Sequence, residues 1–267
     1  MGMVTLFTVT APARSGTKWF SDLFTTDRSF CYHELTTHLH PYPSNVALDG
    51  WLREEIGNGD SEHGQRRLVL QGYPDYFKRL WERTNYGEHI VGNSDSGTVK
   101  LVRGLSLLWP DMKFVFVIRN GINWVQSHFS NQANVPPSVM AELKARWNSE
   151  DYFEICCQRW TGGVSVLSKS KAWLAERGGE FAETGLEAVT TSLDELHRVW
   201  DWLRIGEWER YAERNAGLMH TPINARTNVQ RVVPAEEIWA SWTDEQRRKF
   251  ESVCGSTMLE HAYDIPG

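Results

Sequence analysis

Two short polar stretches of this chain could bind and activate an anion. The first is P-A-R-S-G-T-K-W, Pro12–Trp19, directly after the apolar run V-T-L-F-T-V-T. The second is R-N-G-I-N-W-V-Q-S-H-F, Arg119–Phe129, directly after K-F-V-F-V-I. In the first, Ser15, Gly16, Thr17 and Lys18 offer backbone N–H groups, hydroxyls and charge, and Gly16 lets the backbone approach a ligand closely. Arg14 and Lys18 supply positive charge. In the second, Arg119 stands at a strand end and the helix that follows presents unpaired N–H groups. The first stretch departs from the nucleoside-triphosphate loop, which counts against a kinase or ATPase. That loop requires G-x-x-x-x-G-K-[ST]. Aligned on Gly16, Ala11 replaces the first glycine, Thr17 the lysine and Lys18 the metal-binding hydroxyl.

These stretches need a strand before them and a helix after them, and the sequence supplies both. Val4–Thr10 and Lys113–Ile118 read as buried parallel strands, the second being the strongest in the chain. Thr17–Phe24 and Ile122–Phe129 read as the helices that follow. Ser29–Tyr32, His89–Gly92 and Leu186–Thr190 are further strand candidates. Val99–Trp109, Tyr152–Glu176 and a helix capped by Ser192 with Glu195 are helix candidates. A last helix runs from Asp244 to Cys254, opened by Thr243 and closed by Gly255. Residues 36–65 and 131–150 read as loop-like, apart from a short helix near Trp51–Ile56; Tyr76–Arg83 looks helical. Alternating strands and helices predict an α/β fold: three layers, with a central parallel β-sheet flanked by helices. In such sheets ligands bind at the carboxyl ends of the strands.

The bulk properties agree. The 267 residues, 41% hydrophobic and 12% aromatic, can bury a sizeable core. A net charge of −6 argues against a general nucleic-acid or anionic-membrane binder. Cys31, Cys156, Cys157 and Cys254 lack metal-ligand spacing and read as reduced, buried thiols. With no membrane-length apolar run and no signal peptide, a cytoplasmic protein is expected.

The two stretches, in this order and on these elements, resemble the two donor-binding motifs of the sulfotransferases. P-A-R-S-G-T-K-W resembles their 5′-phosphosulfate loop, P-[KR]-S-G-T-[TS]-W. The strand and R-N-G-I-N-W-V-Q-S resemble their 3′-phosphate motif, R-[ND]-P-x-[DN]-x-x-x-S. Gly185–Leu196 is similar to the family's Y-E-D-L strand and following helix, and W-T-D-E-Q-R-R-K-F-E-S-V-C-G-S-T-M to its closing helix. The resemblance implies a single domain over 1–267 with the P-loop-like sulfotransferase fold, carrying acceptor-side or lid insertions at about 36–88 and 131–155. It implies a donor, 3′-phosphoadenosine 5′-phosphosulfate, whose sulfuryl group passes to a hydroxyl or amine, leaving adenosine 3′,5′-bisphosphate. No metal is expected.

Carried over by position, Arg14, Ser15, Gly16, Thr17 and Lys18 would hold the phosphosulfate, and Trp19 would lie near the adenine. Arg119 and Ser127 would hold the 3′-phosphate, joined by Arg226 from the later N-A-R-T-N-V-Q-R, where the family's R-K-G motif is missing. The K-x-H motif that carries the base in mammalian cytosolic members is also missing from I-V-G-N-S-D-S-G-T-V-K. Other members use a glutamate soon after the first loop, which points to Glu34 as general base with His33 as substitute or orienter. Three further departures stand out: Ala13 for the proline before the basic residue, Lys18 for Thr or Ser, and Gly121 for the proline of R-[ND]-P. Trp51, Trp81, Trp147, His38, His40, Tyr42 and Tyr76 fall where an acceptor pocket would form. The acceptor expected is a small molecule such as a natural-product alcohol or amine, and a homodimer is possible for the family. A nucleotide-dependent kinase on the same architecture and a catalytically inactive nucleotide-binding scaffold are the alternative functions.

Overall fold

A computed structural model describes residues 5–34, 90–220 and 233–266. The expected elements at Trp51–Ile56 and Tyr76–Arg83, and the whole of the proposed 36–88 insertion, lie outside the described residues, as do His38, His40, Tyr42, Trp51, Tyr76, Trp81 and Arg226.

Five strands form one all-parallel sheet: β1 (Thr5–Thr10), β2 (Ser29–His33), β3 (Ile90–Ser94), β4 (Lys113–Ile118) and β5 (Phe181–Gly185), in the spatial order β2-β3-β1-β4-β5. The register brings the carboxyl ends level, with His33 opposite Ser94, Ser94 opposite Val9, and Thr10 opposite Phe116. β4 continues two residues past Thr10, so the turn after it overhangs the loop after β1. β1 lies between strands reached in opposite directions along the sheet, the arrangement that opens a crevice at the carboxyl edge.

The helices are α1 (Thr17–Leu23), α2 (Val102–Leu108, after a 3₁₀ turn at Ser96–Lys100), α3 (Gly121–Phe129), α4 (Pro137–Trp147), α5 (Tyr152–Glu176), α6 (Leu186–Thr191), α7 (Leu193–Leu203), α8 (Trp208–Met219), α9 (Ala235–Ser241) and α10 (Asp244–Glu260). They cover both faces of the sheet, and β4 shows why. Phe114, Phe116 and Ile118 point into a core with α2, α3, α5, α9 and α10, whereas Val115 and Val117 point into a core with α1, α6, α7 and α8. A strand buried on both faces must be apolar throughout, as K-F-V-F-V-I is. Gly92 is the residue that lets β3 lie beside β1 here: a Cβ on it would stand 2.2 Å from the buried Phe7 ring.

Three expectations are corrected. Residues 131–150 hold a helix: Pro136 and Pro137, read as breakers, occupy its N-cap and first position, where proline's missing N–H costs nothing. Leu186–Thr190 is helical, and the strand is the preceding F-A-E-T-G. The β-branched Val189-Thr190-Thr191 suggested a strand, but Thr190 and Thr191 satisfy their hydroxyls on the Leu186 and Glu187 carbonyls within the helix. The last helix runs through Gly255 to Glu260; glycine inside it costs about 1 kcal/mol relative to alanine, which the burial of Cys254, Thr257 and Met258 around it outweighs. Thr243 does open that helix, with a full capping box to Gln246.

Candidate functional site

The loop after β1 curls tightly. Arg14 (φ 67) and Gly16 (φ 79) both adopt left-handed backbone, free for Gly16 but strained for Arg14. Such a conformation persists where surrounding contacts over-determine it. Three of them come from the turn after β4 and the helix that follows. Trp124 Nε1 donates to the Ala13 carbonyl at 2.5 Å, Arg119 donates to the Arg14 carbonyl at 2.7 Å, and Arg14 Nε donates to Ser127 Oγ at 3.2 Å. A fourth packs from α5, where Gly163 lies against the Pro12 ring.

The turn after β4 is anchored in its own right. Asn120 caps α3, its side chain accepting from the Ile122 N–H at 2.9 Å. The Arg119 carbonyl accepts from Trp160 Nε1 at 3.1 Å. The Asn120 N–H donates to the Glu187 carboxylate at 3.1 and 3.2 Å. A Cβ at Gly121 would stand 3.0 Å from Trp160 and from Met258 Sδ, which accounts for glycine at this position rather than the proline of the similar motif.

Electrostatically this corner is a desolvated cluster of cations. Burial draws the Arg119 guanidinium below its ordinary value, with Glu187 pulling the other way and Arg14 adding to the fall. His128 on α3, its ring centroid 3.9 Å from that of Trp124, is driven down to about 3 by burial and then by Arg159, Arg14 and Arg119. A neutral imidazole among three arginines marks a site that disfavours one more positive charge. Several buried polar atoms at the carboxyl edge have no hydrogen-bond partner among the described residues: Thr10 Oγ1, Ser15 Oγ, Ser94 Oγ, Arg119 Nε and His128 Nε2. Buried polar groups are normally satisfied, and orphans gathered at one edge fit a ligand rich in acceptor oxygens.

On the other side of β1 the arrangement is looser. His33 Nε2 lies 3.2 Å from Thr17 Oγ1 and 3.7 Å from Glu34 Oε1. Burial lowers the His33 pKa, opposed by Glu34, so the ring is neutral at pH 7 and can accept from the Thr17 hydroxyl. Glu34 takes left-handed backbone (φ 53), anchors its N–H on the Ser94 carbonyl at 3.0 Å and leaves its side chain 48% exposed. The buried Asp95, at the end of β3, accepts from the Gly97 N–H and adds negative charge near His33.

The structure thus brings Arg14, Arg119 and Ser127 into one hydrogen-bonded corner, with Ser15 and Gly16 in the same loop and Thr17 reaching toward His33 and Glu34. Lys18 and Trp19 lie apart. Lys18 is exposed and pairs with Asp22 one turn along α1. Trp19 is 3% exposed, packs on Phe20 and donates to the Leu218 carbonyl at 3.0 Å. Sequence reasoning missed His128, Arg159, Glu187 and Tyr263. His128 sits inside the quoted S-H-F, next to Ser127, and Glu187 inside the quoted Gly185–Leu196 stretch; nothing in the local pattern marks Arg159 or Tyr263. Among the described residues no cluster of His, Cys, Asp or Glu could hold a metal ion, and no helix is long and apolar enough to cross a membrane.

No protein-family model matches the sequence, and no curated protein does. Solved structures match it over nearly its whole length. A sulfotransferase domain from the curacin biosynthetic pathway aligns over 100% of both chains at 12% identity with a TM-score of 0.56. The sulfotransferase domain of the Synechococcus PCC 7002 olefin synthase aligns over 99% of this chain and 96% of its own, at 13% identity and 0.55. The sulfotransferase STF9 from Mycobacterium avium aligns over 100% of this chain and 79% of its own, at 14% identity and 0.52. At these identities the likeness establishes the fold: the chain has the α/β, P-loop-like architecture of sulfotransferases.

Proposed function

We propose that the protein is a sulfotransferase that moves a sulfuryl group from 3′-phosphoadenosine 5′-phosphosulfate to a hydroxyl or amine of a small-molecule acceptor. The observation that carries this reading is the junction of the two turns. A triphosphate site grips its phosphates with the loop after β1 and does not call for a second anion grip beside it, but here the Arg119 turn is bonded to that loop, and unpartnered buried donors stand on both among the described residues. A donor phosphorylated at both ends of its ribose calls for two anion grips of this kind, side by side.

The donor supplies a sulfuryl group on a phosphate leaving group. Arg14, Ser15, Gly16 and Thr17 hold that end, with Arg14 able to turn from Ser127 toward it. Arg119 and Ser127 hold the 3′-phosphate. Glu34 takes the proton from the acceptor as its oxygen or nitrogen bonds to sulfur, and His33 orients Thr17 and Glu34. As the S–O bond to the phosphate breaks, the arginines stabilise the charge left on the bisphosphate. In-line positioning and charge stabilisation carry the catalysis.

Titration calorimetry tests the reading. Adenosine 3′,5′-bisphosphate is expected to bind more tightly than adenosine 5′-phosphate or ATP with magnesium. Tight ATP–magnesium binding without bisphosphate binding would make the protein a kinase-type nucleotide binder instead. Labelled donor offered with a panel of alcohols and amines then identifies the acceptor.

A further inference from the structure

Behind the Arg119 turn, on the side away from Arg14, lies a small polar assembly that the transfer chemistry does not use. Glu187, in the first turn of α6 beyond β5, directs both carboxylate oxygens at the Asn120 N–H. Tyr263, from the segment after α10, places its hydroxyl 3.1 Å from Glu187 Oε2 and 3.1 Å from the Ile118 carbonyl. Gly185 leaves room for it: a Cβ there would stand 3.0 Å from that hydroxyl. Three segments distant in sequence therefore meet at one peptide, the one that links Arg119 to the cap of α3.

We propose that Glu187 and Tyr263 are positioning residues for the 3′-phosphate grip, holding the Arg119–Asn120 turn from the β5 side while the Arg14 carbonyl holds it from the β1 side. The proposal rests on the reading above that Arg119 binds the 3′-phosphate. The geometry explains a cost that fold stability alone would not favour. A carboxylate withdrawn from water near the sheet edge is expensive, and burial does push the Glu187 carboxyl above its usual range, restrained by the Asn120 N–H, Arg119 and Tyr263. What the carboxylate provides is direction. A charge-assisted bond to a backbone N–H fixes the peptide, and the negative charge of Glu187 offsets part of the desolvation of the Arg119 guanidinium. The Arg119 Nε is left free of protein partners among the described residues, available to a ligand oxygen.

A positioning role and a merely structural one part company over the ligand's 3′-phosphate. The experiment measures binding of adenosine 3′,5′-bisphosphate and of adenosine 5′-phosphate to the wild type, Glu187→Ala, Glu187→Gln and Tyr263→Phe. Glu187→Ala is expected to weaken bisphosphate binding about 10- to 30-fold, the worth of one charge-assisted hydrogen bond, and to change 5′-phosphate binding less than about twofold. Glu187→Gln should restore most of the loss, because its amide oxygen still accepts from Asn120. Tyr263→Phe should cost about threefold, again for the bisphosphate alone. Equal weakening of both nucleotides, or no weakening, overturns the proposal. So does tighter bisphosphate binding in Glu187→Ala, the result if Glu187 were only a repelling charge. Where Glu187→Ala does not fold, Tyr263→Phe keeps the ring packing and carries the test. If the wild type itself does not prefer the bisphosphate, the failure lies with the functional reading, visible before any substitution is made.

Discussion

On the β4 side of β1, the carboxyl edge of the sheet is stitched together by segments far apart in the chain: Trp124 to Ala13, Arg119 to Arg14, Arg14 to Ser127, Trp160 to Arg119, Glu187 to Asn120. On the β3 side, among the described residues, His33 and Glu34 at the end of β2 make a contact to Thr17 and a backbone bond to Ser94. The first side is buried and over-determined; the second is more open, with the Glu34 side chain 48% exposed. The difference matches what each side would have to recognise. A donor nucleotide is the same in every turnover and suits a fixed grip. On the proposed function an acceptor would be met at the open side, where Glu34 would have to reach a group that differs from enzyme to enzyme. Preorganisation is worth most where the ligand never changes.

The largest effect should come from the open side. Glu34→Gln keeps size and hydrogen bonding but removes the base, and should lower kcat about 10²- to 10³-fold with donor affinity unchanged. His33→Ala should cost less and should not alter bisphosphate binding. Single-turnover rates with saturating donor make the comparison. If Glu34→Gln instead weakens the donor, the two sides are not separate.

The architecture of the buried side was legible because its signals are local. An apolar run, a Gly- or Asn-marked turn and an amphipathic helix sit consecutively at Thr5–Leu23 and at Lys113–Phe129, so both units could be read from the sequence. What was not legible depends on tertiary contacts. Arg159 lies on α5 among residues patterned for packing, and only the fold carries its charge to His128. Trp19 looked like an adenine neighbour from its motif position, yet its ring packs on Phe20 and bonds to Leu218, nearly two hundred residues away. Threonines hid α6, and two prolines hid α4, because hydroxyl back-bonding and the tolerance of a helix start are properties of the folded segment rather than of composition.

The next effect belongs to the fixed side. Arg119→Ala should weaken adenosine 3′,5′-bisphosphate about 100-fold, since a buried guanidinium to a phosphate is among the stronger polar contacts. It also releases the Arg14 carbonyl. Arg119→Lys keeps the charge but cannot span Arg14 and a phosphate oxygen with one planar fork, and should recover only part of the loss. Full recovery by lysine would mean that charge alone matters there, and that the stitching of the two turns serves the fold rather than the grip. Calorimetry on both variants decides it.

The smallest effect should be at Lys18, which stands between the two sides in sequence and belongs to neither in space. Its side chain is 53% exposed and its ammonium already paired with Asp22 along α1. Exposed pairs of this kind contribute at most about 1 kcal/mol, and solvent and salt screen their reach. Lys18→Met should therefore change bisphosphate affinity by less than about twofold, within that limit. Its one expected trace is on the open side. Lys18 is among the charges that lower the His33 pKa, so its removal should let that pKa rise, and a His33-dependent acid limb of kcat/KM should move to higher pH. The sign follows from charge alone: fewer neighbouring cations make protonation of the ring easier. A tenfold loss of donor affinity with no movement of that limb would put Lys18 in the grip, and would mean that α1 turns its first residues to the ligand when the donor binds.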